Sequence, residues 1–232
     1  MKKFILLFVF SISTVIYSQN ESIIIDYTVD YLIPNKEGIK DTISIGYNMD
    51  GKFLWTNSTA LAESLAKSMI PNPDLYKKAN SNIIYNTTTK EIVMDINIDE
   101  NQIFFKINIG LFIPKKGNVT NVEDMNLITE STDVTTKVLD KEVNIFTIYP
   151  EGKEIDQIEV AIDKDYKMNN NIIFQRLFEI AAIATGEKIL SSDIPDGLIL
   201  KIGDNNQTLI EAIKVNTTKK TININYSFKI TE

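Results

Sequence analysis

"SIIIDYTVDYLIPNKEGIKDTISIGYNMDGKFLWT", residues 22–56, alternates apolar and polar side chains with a period of two. Ile23, Ile25, Tyr27, Val29 and Tyr31 fall on one face of the first run, and Asp26, Thr28 and Asp30 on the other. Side chains of an extended chain point alternately to the two faces of a sheet, so this pattern predicts a half-buried strand. Ile43, Ile45, Tyr47 and Met49 repeat it against Thr42, Ser44, Gly46 and Asn48. Asp50-Gly51 then turns the chain into "KFLWT", because Gly tolerates the positive φ of a tight hairpin.

The same alternation continues downstream. It runs through "EIVMDINI" (91–98), "QIFFKINIG" (102–110), "DVTTKVL" (133–139), "EVNIFTIY" (142–149) and "IDQIEVAI" (155–162). It returns in "GLILKIG" (197–203), "TLIEAIKVN" (208–216) and "TININYSF" (221–228). Short polar turns join most of these segments, which makes an antiparallel meander of roughly a dozen strands. Residues 114–131 are polar and weakly patterned, and read as a long loop with one short strand at most.

Two segments carry helical spacing instead. In 58–69 Ser58 serves as cap and Leu61, Leu65 and Met69 recur every fourth residue, until Pro71 and Pro73 end the run. In "NNNIIFQRLFEIAAIATG" (169–186) the asparagines cap a helix over 171–185 and Gly186 stops it. Between Ile172 and Ala184 only Gln175, Arg176 and Glu179 are polar, so this helix is apolar around nearly its whole circumference and must be buried on more than one side. A large antiparallel sheet does not stay flat. The expected fold is mainly β: a curved antiparallel sheet, an unclosed half-barrel, with two helices packed on its concave face.

Composition narrows the function. The chain opens MKKFILLFVFSISTVIYSQN, with Lys2 and Lys3 before an apolar run and Ser18 before the expected cut at Gln19. That is the layout of a cleaved secretory signal peptide over 1–18, and the run is shorter than the roughly 20 residues a membrane-spanning helix needs. Residues 19–232 then form a single exported domain, periplasmic or secreted. Loss of the two leader lysines takes the formal charge from −7 to −9. An acidic chain is a poor partner for nucleic acid. There is no Cys and no His, which removes disulfides, thiolate nucleophiles, the Ser-His-Asp triad and every His/Cys zinc site. No cofactor, no metal and no catalytic residue is expected, and the chain is expected to be a monomer.

In the order of its elements the sequence resembles the LolA/LolB-like superfamily, which holds the periplasmic carriers of lipoproteins. It is most similar to a secreted family of unknown function with that fold in Gram-negative bacteria. The segments that carry the resemblance are Ile24–Tyr31, Ile83–Met94, Val138–Tyr149 and Pro195–Val215. The resemblance implies an unclosed barrel whose apolar concave face lies under helical lids and takes acyl chains. The lipoprotein carriers hold their lid with an Arg on the barrel. Here the only arginine, Arg176, lies on the expected lid itself, which sets this chain apart from lipoprotein transport proper.

The candidate ligand-binding residues are Trp55, Leu61, Leu65, Phe174, Leu177, Phe178 and Ala181, with Arg176 as a headgroup contact. Each has a plainer reading. The helix can be core, Trp55 can be core or rim filler, and Arg176 can pair with Glu179 or a strand carboxylate or reach solvent along its stem. The acid pairs Asp26/Asp30, Glu123/Asp124 and Asp163/Asp165 show no spacing that sets two carboxylates across a cleft, as a glycosidase requires. "DKDYKMNNN" (163–171) lacks the central Gly and closing Glu of a calcium loop. The expected function is therefore non-enzymatic binding of a lipid or other hydrophobic ligand between sheet and lids. The alternative is a fully packed envelope module that binds a protein partner and no small molecule.

Overall fold

The computed structural model describes residues 20–34, 40–58, 80–98, 101–108, 125–175, 190–204 and 207–225. Along them run the strands β1 (Asn20–Ile25), β2 (Tyr27–Pro34), β3 (Lys40–Tyr47), β4 (Phe53–Thr56), β5 (Asn80–Asn86), β6 (Glu91–Ile98) and β7 (Asn101–Asn108). After them come β8 (Met125–Val138), β9 (Lys141–Pro150), β10 (Ile158–Asp163), β11 (Leu190–Ser192), β12 (Leu198–Asp204), β13 (Gln207–Asn216) and β14 (Lys220–Asn225). Twelve form one sheet in the order β11-β8-β9-β10-β12-β13-β2-β3-β4-β5-β6-β7, and β1 pairs with β14 in a separate ribbon. From β8 to β7 the pairing is antiparallel throughout, whereas β11 joins β8 in parallel. The sheet is mainly a meander and does not close into a barrel.

It does curl. Val138 and Val143, at the tip of the β8–β9 hairpin, share a buried cluster with Val29 and Tyr31 of β2 and Ala212 of β13. β8 and β13 are separated by three strands in the sheet order, yet they come within 8 Å of each other at Cα. Strand twist accumulates in one hand across a sheet, and bulges sharpen it. Register shifts at Ser131/Thr135, Ala161/Ile162, Ile202/Gly203 and Ala212/Lys214 all lie in this half. The inner face of the curl holds Val29, Tyr31, Ala161, Leu198, Leu200 and Ala212.

The first alternating run does not form one strand. It breaks at Asp26. Ile23 and Ile25 pack with Phe53, Trp55, Ile84, Val93 and Ile224 on one side of the sheet, while Val29 and Tyr31 enter the inner cluster. Asp26 donates its amide to the Tyr47 carbonyl at 2.8 Å. Its carboxylate accepts from the Met49 amide at 2.9 Å and the Asn48 side-chain amide at 3.1 Å, and pairs with Lys219 at 3.0 Å. A period of two persists through the break, so the pattern hides it.

Two further expectations change. The loop read over 114–131 overlaps a strand, since β8 begins at Met125. A bulge masks it: Thr132 Oγ1 donates to the Ile145 carbonyl at 2.7 Å and accepts from the Val134 amide at 3.2 Å, which breaks the alternation at mid-strand. In place of two helices on the concave face, the described residues hold one short helix, α1, at 170–175. The expected helix 58–69 and the remainder of 171–185 lie outside the described residues.

Inside the curl two phenols are hydrogen-bonded to each other. Tyr31 donates to the Ile199 carbonyl at 2.7 Å, which spends its only proton, so the 3.2 Å contact with Tyr47 has Tyr47 as donor. Burial pushes the Tyr47 phenol up to about 12, against the pull of the Tyr31 hydroxyl. Burial, with Tyr47 beside it, raises Tyr31 well above its usual value. Phenols held neutral contribute stability that is complete below about pH 10 and lost as pH rises through their folded values. Tyr31→Phe is expected to cost roughly 1–3 kcal/mol, because it orphans the Ile199 carbonyl. Urea titration at pH 7 measures that loss, and absorbance at 295 nm shows two tyrosines ionising only with unfolding in the wild type.

Burial raises the Asp26 carboxyl, but the Met49 amide, Lys219 and Asn48 outweigh it and hold the group below its usual value. A depressed carboxylate stabilises above its unfolded pKa and loses that effect as pH falls through the folded one. Asp26→Asn is expected to be about 1–3 kcal/mol less stable than wild type at pH 7, with the gap narrowing below about pH 4. Equal stability at pH 7 would contradict the role given to this carboxylate.

Candidate functional site

The register lays apolar side chains in rows across the sheet. One row runs Tyr27, Tyr47, Leu54, Tyr85, Ile92, Ile107 from β2 to β7. The next runs Val215, Val29, Ile45, Thr56, Ile83, Met94 from β13 to β6. Directly opposed side chains in an antiparallel sheet share a face, so both rows belong to the inner face. Strand sequences that are apolar on one face thus become, once registered, one continuous apolar surface. Val29 and Met94 are fully buried on it, and Ile43, Ile45, Tyr47 and Leu54 are half-buried against the inner cluster.

The opposite face carries Trp55, between Gly46 of β3 and Ile84 of β5. A Cβ on Gly46 would come 2.7 Å from Ile25 and 3.0 Å from the Trp55 ring, so the missing side chain is what admits both. Trp55 is 6% exposed, under the β1–β14 ribbon, with the Lys220 ammonium 3.5 Å from its ring centroid. Partial burial lowers Lys220, while Asp95 pulls the other way. Phe174 packs against the inner cluster and against a second cluster of Phe146, Ile148, Val160, Ile162, Ile194 and Ile199. The structure therefore places Trp55 and Phe174 in different clusters. Leu61, Leu65, Arg176, Leu177, Phe178 and Ala181 lie outside the described residues.

The start of α1 is held by three consecutive asparagines with three different tasks. Asn169 Oδ1 caps the helix, accepting from the Ile172 amide at 3.1 Å. Asn170, 2% exposed, donates to the Pro195 carbonyl at 2.7 Å and the Gly197 carbonyl at 2.8 Å. Asn171 accepts from the Ile194 amide at 2.8 Å and donates to Asp193 at 3.3 Å. Gly197 donates its amide to the Met168 carbonyl at 3.1 Å, and its φ of +139° and 2.7 Å approach to Ile162 exclude a side chain. These bonds pin the helix start across the ends of β10 and β12.

Beside this junction an open cleft of about 440 Å³ is lined by Met49, Asp50, Lys164, Tyr166, Lys167, Met168, Asn169 and Asp196. Its walls are the β3–β4 turn, the segment after β10 and the turn before β12. Tyr166 stands edge-on to Tyr27, with ring centroids 5.1 Å apart and planes at 87°. Met168, 2% exposed, belongs to the inner cluster. The cleft floor is thus continuous with the end of the Tyr27 row. None of these residues was among the candidate ligand-binding residues; the segment 163–171 was weighed only as a calcium loop, and nothing in the sequence says that it meets the turns at Asp50 and Asp196.

Asp163, at the end of β10, and Asp165, just after it, do not form an open pair. Lys141 bridges them, 2.7 Å from both Asp163 oxygens and 2.6 Å from Asp165, and these carboxylates raise its pKa. An ammonium occupies the place a cation would take. Among the described residues no group of three or more acidic, His or Cys side chains is arranged to hold a metal.

No protein-family model matches the chain, and no curated protein matches it. Among solved structures it is similar to PNGF-II, in a C2 and a P21 crystal form, each with a TM-score of 0.38. Identity is 18% and 17%, over 83% of this chain, which spans 27% and 28% of those chains. A likeness of that degree carries no argument about activity.

Asn170→Ala is expected to cost about 2 kcal/mol, since it leaves two buried carbonyls without donors, whereas Asn171→Ala at a more exposed position costs less. Urea midpoints of the two variants give the comparison. An Asn170→Ala protein as stable as wild type would show that the junction does not depend on this side chain.

Proposed function

We propose that the chain is an exported, non-enzymatic protein that binds an apolar or amphiphilic ligand, a lipid or an acyl chain. The ligand lies against the inner face of the curved sheet, with residues 58–69 and 171–185 as helical lids, as in the LolA/LolB-like proteins the sequence resembles. The protein acts in the periplasm or outside the cell. The observation that supports this reading is the pair of mainly apolar rows, interrupted by Thr56, that runs from β13 and β2 toward β6 and β7. On this face Ile83, Tyr85, Ile92 and Met94 are already buried, while Tyr27, Ile45, Tyr47 and Leu54 stay half-buried and offer the surface an acyl chain would cover. Burial of a methylene gains roughly 0.8 kcal/mol, so a long chain supplies affinity by itself.

A second reading is a fully packed envelope module that binds a protein and no small ligand. It is favoured by the β12–β13–β2 end of the same face, where Leu198, Leu200, Ala212 and Val29 already meet Val138, Val143 and Met168.

The two separate on chain length. Saturated fatty acids of increasing length, titrated into the mature protein, are expected to bind roughly fourfold more tightly per added methylene until the face is filled. Native mass spectrometry of protein purified from its own periplasm then shows the bound species directly. A clean apo mass together with no uptake of any fatty acid favours the packed module. Ile45→Asp, at a half-buried row position, is expected to abolish uptake, with circular dichroism reporting whether the sheet persists.

A further inference from the structure

The cleft beside α1 has a composition that the apolar face does not explain. Four of its lining residues are charged, two of each sign: Lys164 and Lys167, Asp50 and Asp196. All four are exposed. Among the described residues Lys106, Lys137, Lys141 and Lys219 pair with carboxylates. Neither Lys164 nor Lys167 has a carboxylate partner among those residues. Lys164 rests over the Phe146 ring at 4.8 Å, a contact that an exposed ammonium leaves at small cost. Asp50 accepts the Lys52 amide through one oxygen at 2.9 Å.

We propose that this cleft receives a zwitterionic headgroup, a phosphate ester with an ammonium on the same small group, belonging to the amphiphile proposed above, on which reading the inference rests. The charge balance carries the argument. The cleft sums to zero in a chain of net charge −7, so a purely anionic group meets two carboxylates and an unfavourable overall field. A purely cationic group meets two lysines. A zwitterion satisfies both pairs, phosphate to the ammoniums and ammonium to the carboxylates. Size agrees as well: about 440 Å³ lies at the small end of the roughly 300–1,000 Å³ typical of ligand sites, enough for a headgroup and not for a long-chain lipid. Position completes the case, because Tyr166 and Met168 join the cleft to the end of the Tyr27 row, where the acyl chain begins.

The test compares lysophosphatidylethanolamine with lysophosphatidylglycerol of the same chain length on the mature protein, by calorimetry. Wild type is expected to prefer the zwitterionic lipid at least fivefold. Lys164→Gln with Lys167→Gln is expected to weaken both lipids severalfold and keep the preference, because the carboxylates that meet the ammonium remain. Asp50→Asn with Asp196→Asn is expected to turn the preference toward the anionic lipid. All four positions are exposed, so these proteins retain the fold. Soluble glycerophosphoethanolamine, followed by the amide shifts of residues 164–169, separates the headgroup from the chain. If fatty acids bind and the two lysolipids bind equally in all three proteins, the headgroup inference is overturned and the carrier reading stands. If glycerophosphoethanolamine shifts those amides while no fatty acid or lysolipid binds, the cleft recognises a free zwitterion and the carrier reading falls. Silence in every arm overturns both.

Discussion

Asp26 is the residue on which the two halves of the architecture depend. The chain passes there from a two-stranded ribbon into a twelve-stranded sheet, and its carboxylate ties the passage to two turns. The Asn48 and Met49 groups belong to the β3–β4 turn, and Lys219 to the turn before β14. A buried carboxylate tolerates its site only with donors around it, and here three donors converge. Without that anchor nothing in the local sequence stops the alternating run from continuing as one strand. Ile23 and Ile25 would then have no reason to leave the face that Val29 and Tyr31 occupy.

The consequence is a sheet that is covered differently on its two sides. The ribbon of β1 and β14 closes over Phe53, Trp55, Ile84 and Val93 on one side. Two-stranded ribbons are marginal alone, so this one is held by the apolar surface it buries rather than by its own ladder. Gly46 sets how closely it approaches, because a methyl there would strike Ile25 and the indole together. On the inner side the curl of β8 and β9 toward β2 and β13 brings the sheet's own side chains over one end. The mainly apolar rows that motivate a ligand cross from that end to β6 and β7, and the charged cleft opens beside Tyr27, where they begin.

Some features were legible because they depend on neighbours in the chain. Alternation marked most of the strands, Asp50-Gly51 marked its turn, and the asparagines 169–171 marked the start of a helix that the structure caps with Asn169. Others were hidden by the same logic. The break at Asp26 keeps the period of two on both sides. The bulge at Thr132 erases that period in the middle of a fourteen-residue strand. Trp55 read as core or rim filler or as a ligand contact at a pocket mouth, and the strands that bury it, at the two ends of the chain, left no local trace. Asp163 and Asp165 read as neither a catalytic pair nor a calcium loop, and Lys141 was too distant in sequence to be seen between them.

By itself, then, the sequence determined the class: a mainly β, antiparallel chain without Cys or His, whose side chains sort into an apolar and a polar set along each strand. That much follows from backbone geometry, since the period of two is a property of extended peptide and needs no tertiary information. Which apolar sets share a face, which lie back to back, and which charged turns converge on one cleft were decided only by the tertiary structure. Register, curl and the pairing of the first strand with the last all join residues far apart in the chain, and contacts at that separation leave no periodic trace in the sequence.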